Sequence, residues 1–232
     1  VLTLSKGWVL KQVNKVIILA AGPGNQMDGL AKSLIRHPKT GLTVLDHARA
    51  AFSGKEITVV VGFRAVQVME QHPELHFIIN PQWPITGSAF SLGIALSDEP
   101  SYIVSGDIFL ERQLIERLDH LGPNLVLTEA RENRAPTSVH CSLNKDGVLQ
   151  STYQGPVRSN TDPEAIGLLK VSDSTTLRNW KKLCLQHGNL HAVQLLPCEA
   201  VSILAAERKG EVFDEINSPE DYLRLVERTK RE

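Results

Sequence analysis

The sequence predicts an α/β fold, a mixed and mostly parallel sheet flanked by helices, and three observations carry that prediction. Short β-branched runs alternate with helical stretches from residue 15 to residue 130, the rhythm of strands joined by crossover helices. The strands read as continuous apolar runs, the pattern of strands buried on both faces. The chain has 232 residues, 42% hydrophobic and 22% charged, enough to bury a full core in one domain without disulfide or metal staples.

Each element can be justified in order. "KVIILAA" (15–21) is the first buried strand, and Leu42, Leu45, Ala48 and Phe52 mark a helix stopped by Ser53-Gly54. "EITVVVGF" (56–63) is a second strand, "RAVQVMEQHP" a short helix ended by Pro73, and "LHFIINP" (75–81) a third strand. "TGSAFSLGIALS" (86–97) reads as a helix and "SYIVSGDIFL" (101–110) as a fourth strand that turns polar at Gly106-Asp107. A helix over "RQLIERLDHLG" and a strand over "PNLVLTEA" complete the alternation. Beyond 130 the rhythm changes. "SVHCSLNKDGVLQSTY" predicts a hairpin about an Asp-Gly turn, "AIGLLKVS" (165–172) a strand, "SDSTTLRNWKKLCLQHG" a capped helix and "LHAVQLLPCEA" a further strand. The last helix opens with Ser218 as N-cap and Pro219 at its first position.

Composition narrows the function. Formal net charge is −1, without the basic excess that nucleic acid or an anionic membrane attracts. No apolar run approaches the ~20 residues that span a bilayer, and the polar start does not resemble a signal peptide. Cys141, Cys184 and Cys198 are odd in number and lack metal spacing, which predicts reduced core thiols. Together these predict a cytoplasmic protein. Residues 1–14 are expected to be an extension, an expression remnant or the edge of a preceding domain, with one domain over 15–232.

The chemistry begins at "AAGPGNQMDG", a glycine-rich turn leaving the first strand. Gly22 and Gly24 can adopt positive φ and offer backbone amides to phosphate oxygens; a plain strand-to-helix turn is the competing explanation. The stretch lacks the Lys-Ser/Thr of a P-loop and the last glycine of the dinucleotide fingerprint. Lys32 lies eight residues beyond Gly24, as a point charge for phosphate or as an ordinary surface lysine. Asp107 ends an apolar strand, where open α/β sheets bind ligands, and its carboxylate suits Mg²⁺.

In that order "VIILAAGPGNQM…AKSLI", "TVVVGF", "INPQW…GSAFSL", "YIVSGDIFL" and "EINSPEDYLRLVE" resemble the GT-A-like nucleotidyltransferases, over residues 15–227. Within them the chain is similar to the cytidylyltransferases of phosphocholine and 2-aminoethylphosphonate. The resemblance implies a Rossmann-like sheet of the nucleotide-diphospho-sugar transferase type. It implies transfer of CMP from CTP to a small phosphate- or phosphonate-bearing acceptor, with release of pyrophosphate and Mg²⁺ as cofactor. Carried over residue by residue, it gives Ala20, Ala21, Gly22, Gly24 and Gln26 to nucleotide contacts. Lys32 takes the lysine of a Pro-Lys-x-Leu motif, with Ala31 in place of proline; "HPK" (37–39) is a second match, but "KSLI" keeps the apolar residues that follow the lysine. Ser88 and Ser91 fall in the pyrimidine segment, Asp107 on the first metal ligand, and Glu215 with Asn217 on the second pair.

Two positions depart from the pattern: Gln26 stands where an arginine is usual, and Asn217 where an aspartate is common. An enzyme weakened to a nucleotide-binding regulatory domain therefore remains an alternative, as does a sugar-phosphate, inositol-phosphate or molybdopterin nucleotidyltransferase. Glu129, Arg131, Glu132 and Tyr153 are the candidate acceptor contacts, arginine suiting a phosphate and glutamate an ammonium. A fused or partner domain and a homodimer are both compatible with the sequence.

Overall fold

The computed structural model describes residues 13–24, 27–131 and 137–231. The first half runs β1 (Lys15–Ala20), α1 (Val44–Ala51), β2 (Glu56–Val61), α2 (Ala65–Gln71), β3 (His76–Ile79), α3 (Ser88–Ala95), β4 (Ser101–Ser105) and β5 (Ile108–Leu110). The second runs α4 (Arg112–His120), β6 (Leu125–Glu129), β7 (Val139–Leu143), β8 (Leu149–Gln154), β9 (Glu164–Val171), α5 (Ser174–Gln186), β10 (Leu204–Glu207), β11 (Phe213–Glu215) and α6 (Pro219–Thr229). Single 3₁₀ turns occupy Lys32–Leu34 and Ala192–Leu195.

The main sheet is ordered β10-β6-β9-β4-β1-β2-β3, with the β7–β8 hairpin attached through β7 to β9. β1 is parallel to β2 and β4, and β2 to β3. Its apolar run alternates between two cores. Val16 and Ile18 pack on one face with α1, α2 and α4, while Ile17 packs on the other with α3 and α5. That double burial is why the strand reads as unbroken Val, Ile and Leu. α1 is held by Thr43, whose side chain accepts from the Asp46 amide while Asp46 accepts from the Thr43 amide.

The structure corrects two expectations, over 101–110 and over 190–200, and adds a strand order that the sequence did not give. The run 101–110 is two strands: the chain turns at Gly106-Asp107, and β5 leaves the sheet to pair antiparallel with β11. β6 does not neighbour β4, because β9 enters between them antiparallel to both. "LHAVQLLPCEA" forms no strand. Its Ala192 and Leu196 bury against α3 and α5 through a tight turn, with the Trp180 indole donating to Ala192 O (2.9 Å). The edge place beside β6 belongs instead to β10.

Val13 is already buried, and Asn14 O accepts from Glu56 N (2.7 Å). The rest of the expected extension, residues 1–12, lies outside the described residues. Cys141, Cys184 and Cys198 are free thiols. Among the described residues no helix is long and apolar enough to cross a membrane.

Candidate active site

The carboxyl ends of β1 and β4 open on a cavity of about 890 Å³, ample for a nucleotide-sized ligand. Asp107 reaches it from the turn after β4. Gly106 N donates to Leu19 O (2.9 Å), and a Cβ on Gly106 would stand 2.7 Å from the Ala20 Cβ, so only glycine lets this turn close on β1. Lys32 enters from its 3₁₀ turn; its ammonium donates to Asp107 Oδ2 (3.0 Å) and to Asn217 Oδ1 (2.6 Å). Gly24 lies beneath that lysine, where a Cβ would meet Leu30 O at 2.6 Å and Lys32 Cγ at 3.4 Å.

Glu215 and Asn217 arrive from the far end of the sequence. The β5–β11 pairing sets Glu215 opposite Ile108, and Ile216 N donates to Asp107 O (2.9 Å). Asn217 N is tied to Asp221 Oδ2 (2.9 Å) at the capped start of α6. Asp107 Oδ1 is buried without a hydrogen-bond partner. Burial, and then the charge of Asp107, push the Glu215 carboxyl up to about 7. An orphaned carboxylate oxygen, a second acid under repulsion and an amide oxygen make an all-oxygen donor set of the kind a hard cation takes. No three His, Cys, Asp or Glu side chains gather as metal ligands among the described residues; the set here needs the amide of Asn217.

The cavity has two unlike ends. On the β1–β2–β3 side it is lined by Ala21, Gly22, Asn80, Trp83, Ser88 and Ser91. On the β9 side it is lined by Arg131, Ser138 and Glu164. Arg131 Nε donates to Glu129 Oε2 (2.6 Å), and Nη1 lies 3.6 Å from Glu164 and 3.8 Å from Glu215. Burial acts to raise Glu129, but hydrogen bonds from Arg131 and Arg208 outweigh it and hold the carboxyl below the usual range. Glu164 is 8% exposed; Oε1 accepts from Ser138 Oγ (2.7 Å) and Oε2 has no hydrogen-bond partner.

A family model described as "MobA-like NTP transferase domain" matches residues 16–159. The chain belongs to this family. Solved nucleotidyltransferases share the fold across nearly their whole length. The CTP:phosphocholine cytidylyltransferase of Streptococcus pneumoniae is 17% identical with a TM-score of 0.76, covering 93% of this chain and 98% of that one. A putative glucose-1-phosphate thymidylyltransferase from Bacillus anthracis is 17% identical with a TM-score of 0.72, covering 93% and 95%. The inositol-1-phosphate CTP transferase from T. maritima is 13% identical with a TM-score of 0.69, covering 94% and 96%. No curated relative matches the sequence. The chain is thus a nucleotidyltransferase of the GT-A-like superfamily, carrying its mixed, mostly parallel sheet.

Of the nucleotidyltransferase residues expected from sequence, Ala20, Ala21, Gly22, Lys32, Ser88, Ser91, Asp107, Arg131, Glu215 and Asn217 line the one cavity. Gly22 and Gly24 do not adopt positive φ; Gly24 is needed for close approach instead, and among the described residues of the loop the left-handed ones are Asp28 and Gly29. Lys32 was expected on phosphate and stands between Asp107 and Asn217. Glu129 sits behind Arg131 rather than in the cavity. Tyr153 is turned away: it is buried, its hydroxyl donating to Asp162 (2.7 Å) and accepting from Arg158 N (2.9 Å). Gln26 and Glu132 lie outside the described residues. Sequence reading missed Asn80, Glu164 and Ser33, which also line the cavity; the Ser33 hydroxyl is buried without a hydrogen-bond partner. Asn80 alone carried a signal, a polar residue closing an apolar strand before Pro81.

Proposed function

We propose that the chain transfers CMP from CTP to a small acceptor bearing a phosphate or phosphonate, of the phosphocholine or 2-aminoethylphosphonate kind. One observation carries this reading: Lys32, Asp107 and the Glu215–Asn217 pair, far apart in sequence, converge in one cavity that is also lined by Ser88, Ser91, Arg131 and Glu164. The nucleotide base belongs with Ser88 and Ser91, the triphosphate with the Gly22–Gly24 loop and Lys32, and the acceptor with Arg131 and Glu164. An acceptor oxygen forms a bond to the α-phosphorus, and the bond from that phosphorus to the β-phosphate oxygen breaks to release pyrophosphate. No protein nucleophile takes part. Arg131 holds the acceptor's anionic group, and Glu164 meets an ammonium or hydroxyl donor on it.

Asp107, Glu215 and Asn217 would hold Mg²⁺, which supplies charge neutralisation on the phosphates when bound. Lys32 exchanges its carboxylate and amide partners for phosphate oxygens, offsetting the charge that develops in the transition state.

Pyrophosphate release measured for each nucleoside triphosphate against a panel of acceptors tests the reading, with CTP and a phosphorylated or phosphonate amine expected to give the highest turnover. Asp107→Ala is expected to abolish turnover while circular dichroism and the melting transition persist; near-wild-type activity would refute the role given to Asp107. The neutral Asn217, in place of a carboxylate, favours a second reading, a nucleotide-binding regulatory domain. Calorimetry showing CTP binding with Mg²⁺, together with no pyrophosphate from any acceptor, would establish that one.

A further inference from the structure

We propose that Asn80 sets which nucleobase the cavity accepts, by fixing the hydroxyl of Ser91 as a hydrogen-bond donor to the base; the inference rests on the nucleotide reading above. Asn80 is 1% exposed at the end of β3. Its orientation is determined by its neighbours. Oδ1 accepts from Gln82 N (2.8 Å), and an amide turned the other way would set two donors against each other. Nδ2 therefore donates, to Thr86 Oγ1 (3.1 Å) and to Ser91 Oγ (3.0 Å). Thr86 agrees, since its own hydrogen goes to Gln82 O (2.8 Å). Ser91 accepts from Asn80, and its hydroxyl hydrogen finds no acceptor among the described residues although the side chain is buried. Ser88, one helical turn earlier on the same face of α3, is held the same way: Oγ accepts from Ala192 N (2.9 Å).

Two hydroxyl hydrogens thus line the cavity, and that of Ser91 needs an acceptor, because a buried polar group left unmatched carries a penalty; Ser88 is only half-buried. Cytosine offers acceptors along one edge, a carbonyl O2 beside an unprotonated N3. Uracil presents an N–H at that ring position, donor against donor. Asn80 touches no ligand in this scheme; it is a positioning residue acting through Ser91, and the wall it organises favours cytosine over uracil.

Asn80→Asp should reverse the sign. The aspartate still accepts from Gln82 N, but its second oxygen can only accept, so it draws in the Ser91 hydrogen and turns the hydroxyl's lone pairs toward the base. Calorimetric Kd values and kcat/KM for CTP and UTP with Mg²⁺ are the readout. In Asn80→Asp the CTP-to-UTP preference is expected to fall about 100-fold or more, one matched pair lost and one gained at roughly tenfold each. Ser91→Ala, which leaves the packing nearly unchanged, should cost CTP at least tenfold more than UTP. Equal weakening of both nucleotides in both variants, from a wild type that prefers CTP, would overturn the role of Asn80 and leave the cytidylyl reading standing. A wild type that does not prefer CTP would sink the cytidylyl reading itself and this inference with it.

Discussion

Lys32 stands where a cation is wanted before any ligand arrives. Its ammonium joins Asp107 to Asn217, and a divalent ion held by the same oxygens would compete with it for them. Lys32→Met should therefore separate two quantities. Turnover is expected to fall ~10²-fold or more, since a charged contact to the developing phosphate charge is lost. The apparent affinity for Mg²⁺, read from the thermal shift in its titration, is expected to rise, because the displaced like charge is gone. A fall in both would mean that Lys32 only supports the fold. At this scale the sequence named Lys32 and Asp107 for sound reasons, a lysine after a glycine loop and an acid closing an apolar strand. It could not name Glu164, whose place in the cavity shows only once β9 buries it beside Ser138.

Among the elements, α4 shows how a buried charge can close a helix. Its last turn exposes carbonyls that need partners, and Lys170 of β9, 2% exposed, donates to Leu118 O and to Leu121 O (3.0 Å). Burial, helped by the nearby Lys55 and opposed by Asp119, lowers the Lys170 pKa to about 8. The sign follows from which state holds the proton. Between pH 8 and 10.5 the unfolded chain keeps a proton on this lysine that the folded one sheds, so stability rises with pH across that window. The difference between wild type and Lys170→Met, by urea denaturation at pH 7.5 and pH 10, should grow in favour of wild type by roughly 3 kcal/mol. A flat difference would show that burial does not perturb this amine. Capping was legible here and there: Ser218 and Pro219 announced α6, whereas Lys170 sits in a strand that reads as apolar.

For the whole molecule, the site is a clasp between the start and the end of the described chain. The first strand's loop, the β4–β5 turn and the β11–α6 junction meet around Lys32. A ligand that grips all three stabilises only the folded state. CTP with Mg²⁺ at a hundredfold excess over Kd should add about 2.7 kcal/mol, and so raise Tm by roughly 5–10 °C. Asp107→Ala should lose the Mg²⁺-dependent part of that shift in scanning calorimetry. An undiminished shift in the variant would place the ion elsewhere.

Local pattern alone determined the layered architecture, the doubly buried first strand, the glycine loop, the cap of the last helix and the acid that ends β4, because each depends on neighbours a few residues away. Tertiary structure decided the rest. It broke 101–110 so that β5 could pair with β11, slid β9 between β4 and β6, turned Tyr153 inward and brought Glu164 to the cavity. Those outcomes depend on which distant segments bury one another's apolar faces and satisfy one another's backbone, and no periodicity within a single segment records its partner.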